Sequence, residues 1–77
     1  MYDRIKLIWD FRGPDALNIA KHHRIHLDEY IKKQKIPNAV LGVEQLSEFY
    51  SIAFITVDTK DMIDVRDALR PHRGEVG

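Results

Sequence analysis

The sequence predicts an α+β domain of order β-α-β-β-α, with two helices on one face of a three-stranded, antiparallel-type sheet. Three observations carry this. An early run alternates apolar and polar residues, a long segment with helical periodicity follows it, and two strand-like runs then precede a second, shorter helical stripe. Ile5, Leu7, Trp9 and Phe11 alternate with Lys6, Ile8 and Asp10, the period-two signature of a half-buried strand. Gly13-Pro14 interrupts it. Proline suits a first helical turn, where its missing N–H would be unpaired anyway, and Asp15 beside it suits the positive end of the helix dipole.

The first helix is expected over 14–34 and must stop before Ile36-Pro37, because proline disfavours helical geometry in the preceding residue. Ala16, Ala20, His23, Leu27, Tyr30 and Ile31 form its inner stripe, with Ile19 and His26 at one margin and His22 further toward solvent. Lys32, Lys33 and Lys35 favour the negative end of the dipole. Residues 39–46 and 50–58 read as two strands joined around Ser47-Glu48. The second is apolar on both faces, Ile52 and Phe54 on one and Ala53, Ile55 and Val57 on the other, as in a strand covered on both sides. Asp58-Thr59 offers cap oxygens to a second helix with Met62, Val65 and Leu69 inward, ended by Pro71. The tail from His72 to Gly77 carries no recognisable element.

This order is that of a ferredoxin-like fold with its fourth strand missing or vestigial. One right-handed crossover and one hairpin place the third strand between the first and second, giving the order 1-3-2. The first strand is then a free edge, and the face opposite the helices keeps Ile8, Ile52 and Phe54. Such an uncovered apolar face predicts a homodimer. Through this pattern, which spans nearly the whole chain, the sequence resembles the dimeric α+β barrel superfamily, in which two ferredoxin-like protomers pack sheet against sheet. That superfamily includes small oxygenases, isomerases and ligand-binding modules, so the resemblance implies no single chemistry. The stretch Trp9-Asp10-Phe11-Arg12-Gly13-Pro14-Asp15-Ala16, together with His22-His23 and His26, also resembles a small bacterial family of no assigned activity.

Composition narrows the function classes. The chain has 77 residues, 44% of them hydrophobic and 31% charged, which suits one small globular domain occupying 1–77. No cysteine is present to brace it, and small domains without such staples often gain burial by oligomerising. Twelve basic against twelve acidic residues leave no long-range attraction for nucleic acid or an anionic membrane. The most apolar stretch, 50–57, is far too short to span a bilayer. Met1-Tyr2-Asp3-Arg4 leads directly into a strand pattern, without a signal-peptide layout. A cytoplasmic, bacterial-type protein is the expectation.

Three of the four histidines fall in Lys21-His22-His23-Arg24-Ile25-His26-Leu27. Imidazole titrates near neutrality and is the commonest metal ligand. His22 and His26, one helical turn apart, present two nitrogens to one ion, so a divalent transition metal is the possible cofactor. Two nitrogens fall short of the three or four ligands of a zinc site, and nothing in the sequence requires a metal. His23 lies in the core stripe, where a neutral imidazole needs only one partner. His26 beside Tyr30 suits acid–base work. His23, His26 and Tyr30 are therefore the catalytic candidates, lining a pocket between the first helix and the sheet with Trp9 beneath. For Trp9, on the same strand face as Leu7 and Phe11, core packing is the plainer role.

A second cluster follows from topology. The first strand ends, the first helix begins and the second helix ends at one edge of the sheet. Asp10, Arg12 and Asp15 are thus expected near Arg70, His72 and Arg73, with Glu48 not far off. Arginines around a helix N-terminus suit a phosphate or carboxylate, and simple surface ion pairing is the competing expectation. The function expected is a small cytoplasmic homodimeric module that binds or transforms a small molecule, anionic if Arg12 orients it, in the pocket between the first helix and the sheet. The alternatives are a purely structural oligomer built on Ile8, Ile52 and Phe54, and a metal-binding protein built on His22 and His26.

Overall fold

The computed structural model describes residues 4–76; the expectation about the first three residues lies outside them. The elements run β1 (Arg4–Arg12), α1 (Ala16–Gln34), β2 (Val40–Ser47), β3 (Tyr50–Asp58), α2 (Thr59–Leu69) and β4 (Arg73–Val76). They form one antiparallel sheet of order β2-β3-β1-β4. This is the ferredoxin-like arrangement with its fourth strand present but short. The tail supplies that strand, pairing Ile5 with Val76 and Ile8 with Arg73. The expected free edge of β1 is therefore covered over Ile5 to Ile8. Four residues, Arg-Gly-Glu-Val, are too few to show a period, and they become a strand only because β1 supplies a ladder of hydrogen bonds.

Both helices cover the same face. Leu7 and Trp9 of β1, Ala20 and Leu27 of α1, Ala53, Ile55 and Val57 of β3 and Val65 of α2 form a single buried cluster. Each is at most 4% exposed. Trp9 belongs to this core, and its indole Nε1–H donates to the Leu69 carbonyl at 3.3 Å. One hydrogen bond thereby satisfies both a buried donor and an otherwise orphaned carbonyl at the end of α2.

One helix start and one cap expectation are corrected. Helix α1 starts at Ala16, two residues later than predicted, because Gly13 takes a left-handed turn (φ 119°) that only glycine adopts without strain. The Gly13 N–H donates to the Phe49 carbonyl at 2.9 Å, tying this turn to the β2–β3 hairpin. Asp15 occupies the N-cap position but its carboxylate makes no capping bond. Asp58 likewise does not cap α2. Its carboxylate instead accepts from Arg4 at 2.9 Å and from Asn38 at 3.4 Å, joining the start of β1 to the loop before β2. An ion pair to a neighbouring strand wins over a local cap here because Arg4 lies directly opposite Asp58 in the ladder.

The face without helices carries Lys6, Ile8, Asp10 and Arg12 of β1 opposite Thr56, Phe54, Ile52 and Tyr50 of β3. Ile8 and Ile52 are nevertheless only 1% and 3% exposed. In register, Ile8 lies between Phe54 and Arg73, and Ile52 between Asp10 and Glu44. Long polar side chains can cover apolar surface with their stems while their charged ends stay wet. Lys6 also sits over the Phe54 ring, with Nζ 4.2 Å from its centroid.

Candidate functional site

Asp10 is the hub of a polar cluster on the uncovered face. Arg73 reaches it from β4 with two parallel bonds, Nε to Oδ2 and Nη2 to Oδ1, both at 3.2 Å. The Tyr50 hydroxyl donates to Oδ1 as well. Arg73 further binds the Glu75 carboxylate through Nη1 at 2.6 Å and approaches the Tyr50 hydroxyl at 3.4 Å. Topology explains the assembly: β4 and β3 flank β1, so their open-face residues converge on Asp10 from both sides. Arg73, then Tyr50, hold the Asp10 carboxyl below the usual carboxylate range, and Asp10 in turn raises the Arg73 guanidinium above its ordinary value.

His72 joins the cluster through the backbone. Its N–H donates to the Ile8 carbonyl at 2.9 Å, and its Nδ1 accepts the Asp10 N–H at 2.8 Å. A neutral imidazole that accepts at Nδ1 carries its proton at Nε2, so His72 presents a donor on its other side. Arg12 completes the cluster. Its guanidinium lies over the Tyr50 ring, 4.1 Å from the centroid, and has no ion-pair partner among the described residues. The cluster thus combines a fixed carboxylate–guanidinium pair, a phenol locked by both, and an exposed guanidinium resting on that phenol.

The expected edge cluster is therefore brought together in part. Asp10, His72 and Arg73 are in contact, and Arg12 adjoins them through Tyr50. Arg70 does not join them: it ends α2 in a left-handed conformation (φ 50°), and its N–H returns to the Arg66 carbonyl at 2.8 Å. Neither Asp15 nor Glu48 makes an ion pair among the described residues. Sequence reasoning missed Tyr50 and Glu75. The signal for Tyr50 was present, because the alternation that puts Ile52 and Phe54 on one face puts Tyr50 there too.

The histidines of α1 are placed differently from one another. His22 and His26 are exposed. Among the described residues no group of three or more histidine and acidic side chains is arranged to hold a metal. His23 is half-buried against Trp9 and Phe11, with ring centroids at 4.7 and 5.6 Å. Its Nε2 is buried with no hydrogen-bond partner. Burial, and then the neighbouring His26, push its pKa below the ordinary imidazole value, so it packs as a neutral ring. Its ring lies between α1 and β1. A groove of about 380 Å³ lies between α2 and the β1–β4 edge, along Ile5, Leu7, Met62, Arg66 and Val76. His23, His26, Tyr30 and Trp9 take no part in it.

Fold and site together define a ferredoxin-like α+β domain with a polar cluster on its uncovered sheet face. No helix among the described residues is long and apolar enough to cross a membrane. No family model, curated protein or solved structure matches the chain.

Proposed function

We propose that the chain is a small binding module for an anionic molecule, a carboxylate or a phosphate, taken up at the Asp10–Arg12–Tyr50–His72–Arg73 cluster. The observation that carries this reading is Arg12, whose guanidinium carbon sits 4.1 Å from the centroid of the Tyr50 ring with no ion-pair partner among the described residues. A guanidinium is a planar fork that matches carboxylate and phosphate oxygens in pairs, and stacking on an aromatic ring removes much of the rotational freedom it would lose on binding. The Asp10–Arg73 pair supports it indirectly, fixing the ring on which Arg12 rests.

The resemblance to dimeric α+β barrel proteins is in keeping with this reading, since that superfamily includes ligand-binding modules, and the bacterial, cytoplasmic setting expected from the sequence goes with it. The composition of the open face favours a ligand over a second copy at this position. Ile8 and Ile52 are already removed from water within one chain, and Phe54 alone of the three retains exposed area.

The test is calorimetric titration with inorganic phosphate and with malonate, on the unaltered chain and on Arg12→Gln. Saturable binding of one anion per chain is expected, weakened ten- to a hundredfold by the substitution. That follows from about 1.5–3 kcal/mol for hydrogen bonds to a charged group. Equal affinity in the two proteins, or no saturable binding of either anion, would overturn the reading.

A further inference from the structure

The two edges of the sheet are built differently, and the difference points to a partner. Strand β4 is four residues long and carries Arg73 and Glu75, the short charged design by which proteins blunt an edge. Strand β2 is twice as long, and Val-Leu-Gly-Val-Glu-Gln-Leu-Ser holds no lysine, arginine or proline and a single charge at Glu44. Its irregularity is confined to the far end, between Gln45 and Ser47. Val40 and Leu46 are 54% and 47% exposed, so apolar side chains stand at both ends of an edge whose outward backbone groups have no strand beside them among the described residues.

We infer that β2 pairs with β2 of a second copy, antiparallel about a two-fold axis at Val43, to make one continuous eight-stranded sheet. The strand is self-complementary in this register. Val43 meets Val43 of the second copy, Gly42 meets Glu44 and Leu41 meets Gln45, while exposed Val40 comes beside exposed Leu46, which stands in the irregularity at the strand's far end. Opposed residues keep the same face, so both helix layers remain on one side of the joint sheet. Moving the axis to Glu44 sets two like charges directly opposite each other, which is unfavourable. Moving it to Gly42 leaves no side chains at the centre and sets Val40 against Glu44. A centre at Val43 alone pairs the apolar ends and keeps the carboxylates apart. The open face and its polar cluster stay free, so this pairing is independent of the anion reading.

The absence of cysteine makes the register directly readable. Residues directly opposed across an antiparallel pair have Cα atoms about 4.5–5.5 Å apart, within disulfide reach. Diagonal neighbours, about 7–8 Å apart, lie outside it. Val43→Cys is therefore expected to cross-link to a covalent dimer on mild oxidation, and Glu44→Cys, whose two copies would be diagonal, to stay largely uncrosslinked. By sedimentation the unaltered chain is expected at twice its 9.0 kDa mass, and Val40→Lys with Leu46→Lys at the single-chain mass. Both lysines replace exposed side chains, so folding is retained. A unaltered chain that stays monomeric at millimolar concentration, equal cross-linking at 43 and 44, or a dimer that survives both lysines and dissociates with Phe54→Asp would each overturn the inference.

Discussion

Gly42→Ala is the most informative single perturbation of the open face. A Cβ at position 42 would lie 2.4 Å from Phe54 Cζ and 2.7 Å from Cε1, inside any tolerable contact. The ring would have to swing away from β2. Full burial of a phenylalanine is worth about 1.5–3 kcal/mol, so a half-buried ring that loses its seat forfeits roughly 1 kcal/mol. The Lys6 contact at 4.2 Å goes with it, about 0.5 kcal/mol at an exposed site. Ile8 and Ile52, now only 1% and 3% exposed, become partly wetted. Replacing a strand glycine returns roughly 0.5 kcal/mol of backbone entropy. The net expectation is a loss of roughly 1–2 kcal/mol, or several degrees in Tm for a domain of this size. Urea unfolding can be followed through Trp9, the single tryptophan, which is 4% exposed. The decisive comparison is the same substitution in a Phe54→Ala background, where it should be neutral or slightly stabilising. A loss of the same size with and without Phe54 would refute the account, because the clash would then not be its cause.

Two further predictions concern titration. Asp10 has its carboxyl pKa lowered by Arg73 and Tyr50, so its contribution to stability is present above the unfolded value of about 3.9 and is lost as pH falls through the folded value. Asp10→Asn should cost about 1–2 kcal/mol at pH 7 and progressively less as pH falls below the unfolded value, as urea midpoints taken across the acid range would show. A difference that does not shrink in acid would be contrary. His23 has its pKa lowered mainly by burial, so the native state should lose stability as pH drops below the unfolded value of about 6.5. His23→Phe keeps a ring between Trp9 and Phe11, removes the unpartnered Nε2, and should stay within about 1 kcal/mol at pH 7 while losing that decline as pH falls below about 6.5. An unchanged pH profile in the variant would assign the decline to another group.

Side-chain periodicity made much of this architecture legible along the chain. The alternation of Ile5, Leu7, Trp9 and Phe11 is enough to orient β1. The stripe of Ala16, Ala20 and Leu27 orients α1, and the limits of β3 are those of its apolar run. These are local properties, set by side-chain spacing against a period of 2 or 3.6. From them follow the strand order of β1, β3 and β2, the shared face of the two helices, and the meeting of Asp10 with His72 and Arg73 at one sheet edge. The remaining features arise only when distant segments meet. Strand β4 exists because β1 has an edge to pair, which no four-residue pattern announces. Asp58 turned from capping α2 to bind Arg4 because the ladder set them opposite. Tyr50 became the platform of the candidate site because β3 and β4 converge on Asp10. Ile8 and Ile52, apolar on a face without helices, are covered all the same, since neighbours remote in sequence but adjacent in register lie across them. Each of these outcomes depends on contacts between distant segments, and a side chain's partners there are chosen by the assembled sheet and not by its own stretch of chain.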